Sequence, residues 1–191
     1  MTAEPPPGAP DRFEPAGLAH VDRSGKARMV DITGKAPTHR RAVARARVMM
    51  TRVLLSELTG GPGAAGIEQR AGLEQLMTAA AVAGRYAAKV TSTLIPLCHP
   101  LTVSDIDVRV TLADDGFEVE AQASTFGRTG VEMEALTACA CAALSLVGAC
   151  GAHHQSVSVE GLTLLEKIGG RSGHWIRPEV SPSGPRPTGE S

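Results

Sequence analysis

A chain of 191 residues with 42% hydrophobic and 20% charged residues carries enough apolar material for one folded domain with a real core. Its net charge of −1 removes any default attraction to nucleic acid or to an anionic membrane surface, so a polyanion must be held by a local cluster of Lys and Arg. Aromatic residues make up only 3%, which leaves Ala, Val, Leu and Met to fill the interior.

The chain starts with a Pro-rich stretch over residues 1–17, expected to be a disordered tail, and ends with another over 178–191. The folded domain is expected over 18–177. The Pro-rich start has no basic segment followed by an apolar block and does not read as a secretory signal. The Ala- and Cys-rich stretch 135–147 is too short to span a bilayer, so a cytoplasmic protein without a membrane segment is expected. Cys98, Cys139, Cys141 and Cys150 form no CxxC pair and read as small hydrophobes in a reducing compartment.

Arg41 to Met50 alternates, with Ala42, Ala44, Ala46, Val48 and Met50 on one face and Arg41, Val43, Arg45 and Arg47 on the other. Period two predicts a half-buried strand with a basic outer face. A short helix is predicted over Arg52 to Leu58, stopped by the Gly-Pro run at 60–63. Apolar residues at helical spacing predict a long helix from Ile67 to Lys89, its start placed at Ile67 or nearer Leu73. Leu94-Ile-Pro-Leu-Cys-His-Pro-Leu101 holds two prolines and predicts a rigid turn.

Ile106–Leu112 and Phe117–Ser124 alternate around Asp114-Asp115-Gly116, a hairpin signal. Val131 to Gly148 predicts a helix that is apolar nearly all round, with Glu132 and Glu134 in its first turn, where carboxylates suit the helix dipole. Two short strands are predicted at Ser156–Val159 and Leu162–Glu166. The order predicts an α+β fold with helices on one face of an antiparallel sheet.

Three polar clusters lie in Gly- or Pro-constrained turns. His99 between Cys98 and Pro100 is held in direction; it reads as an acid/base or ligand contact, or as a structural His bonded to a carbonyl. The loop from Thr125 to Glu134 offers Arg128 and exposed N–H groups to an anion, and a Glu as acceptor for a guanine-type edge, or merely a charged helix start. Lys167 and Arg171 flank Gly169-Gly170 in a loop able to wrap a phosphate, or form a solvated basic turn. The pair His153-His154 lacks further ligands at suitable spacing, so no metal site is predicted.

With these segments in hand, the chain resembles the cyclic pyranopterin monophosphate synthase (MoaC) family of molybdenum cofactor biosynthesis. The resemblance rests on Leu18-Ala-His-Val-Asp, Ala27-Arg-Met-Val-Asp31, Leu94-Ile-Pro-Leu-Cys-His-Pro-Leu101, Thr129-Gly-Val-Glu-Met-Glu-Ala-Leu-Thr-Ala138 and Leu164-Leu-Glu-Lys-Ile-Gly-Gly-Arg-Ser-Gly173. It implies a ferredoxin-like α+β fold and a hexamer built from dimers, with sites at a subunit interface. The ligand it implies is a cyclised dihydro-GTP triphosphate, a purine or pterin triphosphate in class, converted to cyclic pyranopterin monophosphate with loss of pyrophosphate. No organic cofactor is implied, and Mg2+ enters only as a companion of the phosphates.

The same resemblance carries substrate binding to Leu97, Cys98, His99, Met133 and Glu134 and places Lys167 and Arg171 at the family's basic positions in the late loop; Arg128, from the reading of its own loop, is a further expected contact, and His99 and Lys167 are the expected catalytic residues. It also implies a loss. Family members end this helix with an Asp and, three residues on, a Lys, which would share one helix face; here those positions are Gly148 and Gly151, and glycine can neither give nor take a proton. A Lys-Gly-Asp string before the long helix is missing too, with Arg70 its nearest basic residue. An enzyme with impaired turnover is the first reading, rescued in part if His153 or His154 enters the site. The other is a non-catalytic binding or assembly subunit, in a homo-oligomer or paired with an active paralogue.

Overall fold

The computed structural model describes residues 20–21, 25–60, 67–170 and 173–178, with the backbone alone for 67–70. The expected tail over 1–17, all but the first residue of the expected tail over 178–191 and of the Gly-Pro stop at 60–63, Arg171 and the side chain of Arg70 fall outside the described residues.

Strand β1 (Thr38–Met50) is the centre of a five-stranded sheet. The others are β2 (Asp105–Ala113), β3 (Gly116–Gly127), β4 (Val157–Ile168) and β5 (His174–Ile176), in the order β2-β3-β1-β4-β5, with every pair antiparallel. The period-two pattern of β1 holds: Ala42, Ala44, Ala46 and Val48 are wholly buried, and Arg41, Arg45 and Arg47 face away from them. That outer face is neutralised and not simply basic. Arg47 meets Asp115 at 2.7 Å, Arg41 meets Glu166 at 3.5 Å and Arg45 meets Glu118 at 3.9 Å. Such half-exposed pairs contribute about 0–1 kcal/mol each and mainly keep the face wet.

The inner face is covered by α2 (Ile67–Lys89) and α4 (Glu132–Ala149); α1 (Arg52–Thr59) and α3 (Thr91–Leu94) are short. This is the α+β, ferredoxin-like arrangement the element order predicts. By length and hydropathy α4 is the one helix among the described residues able to cross a membrane, so its apolar run is longer than the sequence reading allowed. It works as a core helix: Ala135, Ala138, Cys139, Ala142, Ala143 and Leu146 are fully buried against the sheet and α2. Burial pushes the Cys139 thiol up to about 12.

Small residues set how closely the two helices approach. A Cβ on Gly84 would lie 2.8 Å from the Ala138 carbonyl oxygen and 3.2 Å from the Ala142 Cβ. Gly84→Val therefore has to part α2 from α4, and we expect it to cost about 1–3 kcal/mol, read as a lower urea midpoint. An unchanged midpoint would place the helix contact elsewhere.

Two expectations change. The two short strands predicted around residues 156–166 are one strand, β4. It runs through a register shift at Arg45/Arg47 of β1, where left-handed Gly161 (φ 59°) absorbs the extra residue as a bulge. Lys167 therefore lies inside β4 and not in a flexible loop; β5, pairing with Glu166 to Ile168, fixes that end.

Candidate functional site

The turn carrying His99 is locked at both ends. Upstream, the buried Thr91 hydroxyl donates to the last carbonyls of α2, Ala87 and Ala88, at 3.2 and 3.1 Å, and the Thr91 carbonyl accepts from Ile95 N–H at 2.8 Å. Downstream, Thr125 on β3 donates to the Thr102 carbonyl at 2.6 Å, and Ser104 N–H to the Ser124 carbonyl at 2.8 Å. With Pro96 and Pro100 restricting the backbone between, Leu97, Cys98 and His99 are set against the start of α4.

There they line a cavity of about 310 Å3 together with Glu132, Met133 and Glu134 of α4, and His20 from the beginning of the chain lines it too. That volume is at the small end for small-molecule sites. Glu134 is only 4% exposed. Burial raises its carboxyl to about 7; its own backbone amide opposes the shift and the charge of Glu132 adds to it. Burial, with Glu134 beside it, also raises the Cys98 thiol, so that sulfur stays protonated.

Glu132 links the cavity to the sheet. Its carboxylate folds back over Gly130, where a Cβ would overlap Oε2, and it reaches Lys167 Nζ at 3.5 Å. Lys167 lies opposite Ala42 in the β1–β4 ladder and projects from the same sheet face. Arg40, one pleat further along β1, is on that face too and stands opposite Thr125 of β3. It is a diagonal neighbour of Lys167, roughly 7–8 Å away by sheet geometry. Arg40 Nε is buried without a hydrogen-bond partner, and its guanidinium lies over Gly170, where any Cβ would overlap Nη1. Two cations thus share one end of the sheet face beside the N-terminus of α4, itself favourable to anions.

Of the residues singled out in the sequence, Leu97, Cys98, His99, Met133 and Glu134 meet at the cavity, and Lys167 joins through Glu132. Arg128 does not: it is exposed and donates to the Thr33 carbonyl at 3.2 Å. Arg171 lies outside the described residues. Gly148 and Gly151 are not in this cavity either. Gly148 follows Glu134 at the opposite end of α4, roughly 21 Å along the axis. The helix stops at Ala149, and Gly151 (φ 55°) opens a 3-10 turn over Gly151–Ser156, so the two positions do not form an i, i+3 pair on one helix. His153 and His154 are exposed at that same far end, His154 Nδ1 lying 2.8 Å from the Gly151 carbonyl. Neither histidine enters the cavity of its own chain.

Arg40 and His20 were missed in the sequence. Extending the alternation one step before Arg41 puts Arg40 on the Ala42 face, a signal that was present. His20 lies in the Leu18-Ala-His-Val-Asp string that supports the resemblance, but nothing local in the chain places it at the cavity, because that approach is a tertiary contact.

The profile of the MoaC family matches residues 29–170. The cyclic pyranopterin monophosphate synthase of Heliobacterium modesticaldum is 44% identical over 164 residues, 85% of this chain and 98% of that protein. The enzymes of the same name from Thermomicrobium roseum and Novosphingobium aromaticivorans are 45% and 43% identical, covering 85% and 83% of this chain and 94% and 96% of theirs. The matched span takes in four of the five strands, both long helices and every cavity residue except His20, and on that ground the chain belongs to the MoaC family.

Proposed function

We propose that the cavity takes a cyclised dihydro-GTP triphosphate in a MoaC-type step of molybdenum cofactor biosynthesis, and that turnover is impaired. The observation that carries the reading is the division of the site into two ends. A buried carboxyl, Glu134, and His99 face a small cavity suited to a ring with N–H edges; Lys167 and Arg40 stand together where phosphates would lie. Closing a cyclic phosphate expels pyrophosphate, and the charge gathering on that leaving group is what two fixed cations stabilise. His99, held between prolines, is placed to contact the reacting portion of the ligand. Among the described residues no group of three or more His, Cys, Asp or Glu is arranged to hold a metal ion, and in this reading Mg2+ arrives on the phosphates.

The impairment follows from Gly148 and Gly151, which deprive the far end of α4 of the carboxylate and the amine that the family carries there. Because that end is remote from the cavity of its own chain, the proton-transfer pair it lacks would have served a neighbouring subunit. Exposed Leu144, one turn before Gly148, is apolar surface for such a neighbour to cover. The same glycines support the second reading, a binding or assembly subunit paired with an active paralogue whose own helix end supplies the missing groups.

Isothermal titration tests the two-ended site with GTP, guanosine and pyrophosphate as probes. Lys167→Ala and Arg40→Ala should each weaken GTP and pyrophosphate tenfold or more and leave guanosine unchanged, since removing one charge-assisted contact is worth about 1.5–3 kcal/mol. Unaltered pyrophosphate affinity in both variants overturns the phosphate end.

A further inference from the structure

We propose that Glu132 is a built-in competitor at the phosphate end of the site: its carboxylate contends with a ligand's phosphate for Lys167, and Glu132 thereby sets how tightly the chain holds pyrophosphate. The proposal rests on the reading of Lys167 as a phosphate contact. It gives a role to a carboxylate that the ring end, built on Glu134 and His99, does not use.

The contest follows from where the chain puts the two side chains. Lys167 is paired on both sides of β4, opposite Ala42 of β1 and Trp175 of β5, so its backbone is held and only its stem can move. Its ion pair among the described residues is with Glu132, Nζ to Oε1 at 3.5 Å. Glu132 is the first residue of α4 and also lines the cavity. Its carboxylate is seated over Gly130: the three atoms nearest to a Cβ built at Gly130 are Oε2, Cδ and Oε1 of Glu132. Any side chain at position 130 would push the carboxylate aside. The glycine there leaves open the seat from which Glu132 reaches Lys167.

The pair is built to exchange and not to lock. At 3.5 Å it is longer than a close charge-assisted bond, about 2.7–2.9 Å. The two side chains are 31% and 34% exposed, so water screens the pair and it contributes little. Pyrophosphate carries more negative charge than one carboxylate and displaces it from Lys167. The carboxylate stays tethered beside the lysine and repels the anion that replaced it. Its charge is felt across the cavity as well: burial raises the Glu134 carboxyl, and Glu132 raises it further. An anion fixed to the chain at this point lowers affinity for any phosphate ligand and returns to Lys167 as pyrophosphate departs. Without it the site would hold its own leaving group more tightly.

The test uses the full chain with pyrophosphate as probe. Titration calorimetry compares wild type, Glu132→Gln, Gly130→Ala, Lys167→Ala and the double variant Glu132→Gln with Lys167→Ala. Glu132→Gln keeps the shape and removes the charge; Gly130→Ala keeps the charge and moves it. Glu132→Gln should bind pyrophosphate about 3–10-fold more tightly, and Gly130→Ala should gain by a smaller factor. In the Lys167→Ala background the gain from Glu132→Gln should shrink, because the contested cation is gone. The urea midpoint of Glu132→Gln should not rise, since a carboxylate in the first turn of α4 suits the helix dipole. Affinity and stability then move apart, which a structural role does not produce. Unchanged or weaker binding in Glu132→Gln overturns the proposal, as does no gain in Gly130→Ala or a gain that persists in full without Lys167. If Glu132→Gln matches wild type while Lys167→Ala loses pyrophosphate, the phosphate end stands and the role of Glu132 alone falls. If neither wild type nor any variant binds pyrophosphate, both fall.

Discussion

Supplied with the cyclised triphosphate, the purified chain should release pyrophosphate at least about a hundredfold more slowly than the Heliobacterium relative under single-turnover conditions. A positioned acid or base is worth about 10²–10⁴ in rate, and groups acting as a unit do not add, so losing the second costs less than losing the first. Release at the relative's pace sinks the assignment of impairment. The variant carrying Gly148→Asp and Gly151→Lys sharpens the test. Position 148 is open, with nothing within 4 Å of a built Cβ; position 151 is open too but left-handed at φ 55°, costing roughly 1–2 kcal/mol for a side chain.

The geometry adds a feature that simple restoration lacks. Within one chain the altered positions are far from His99, so a gain must pass between subunits. Subunits with the restored pair but with His99→Ala, mixed with the otherwise unchanged parent, should give active mixed assemblies from two inactive or feeble parents. Activity confined to chains bearing both the pair and His99 would show that the cavity and the helix end meet within one chain, against the distance along α4.

Replacing Glu134 should change the pH dependence of stability. Its carboxyl titrates near 7 in the folded chain against an ordinary value of 4.5, so the folded state binds the proton more tightly than the unfolded state. The contribution to stability is therefore fully present below about pH 4.5 and is lost as pH rises through 7. The loss is on the order of 3 kcal/mol. Glu134→Gln cannot ionise. It should match wild type near pH 4.5 and exceed it at pH 8 by about 2–3 kcal/mol, a rise in melting temperature of roughly 4–10 °C. Parallel stability profiles for the two proteins would remove Glu134 as the buried titrating group. The same variant should bind GTP less well, since in the proposed site the Glu134 carboxylate accepts from the ring's N–H edge and a neutral amide oxygen is the weaker acceptor.

Much of this was legible in the chain itself. Alternation over Arg41 to Met50 announced the central strand, because one buried face imposes period two on whatever sequence lies there. The 3.6-residue spacing from Ile67 and the nearly all-round apolar run from Val131 announced the two packed helices, and Pro96 and Pro100 marked the turn that holds His99. Where the chain departs from regularity, local pattern misled: Gly161 looked like a break between strands because a bulge and a turn both call for a left-handed residue, and only pairing with β1 tells them apart.

The amino-acid order alone determined the architecture, the family and the glycines at 148 and 151, all of which depend on residue type and short-range spacing. The tertiary structure decided what meets what. It buried Glu134, set Arg40 beside Lys167, brought His20 to the cavity wall and carried Gly148 to the other end of the helix. Those relations join residues distant in the chain through packing and sheet register, and no local periodicity records them.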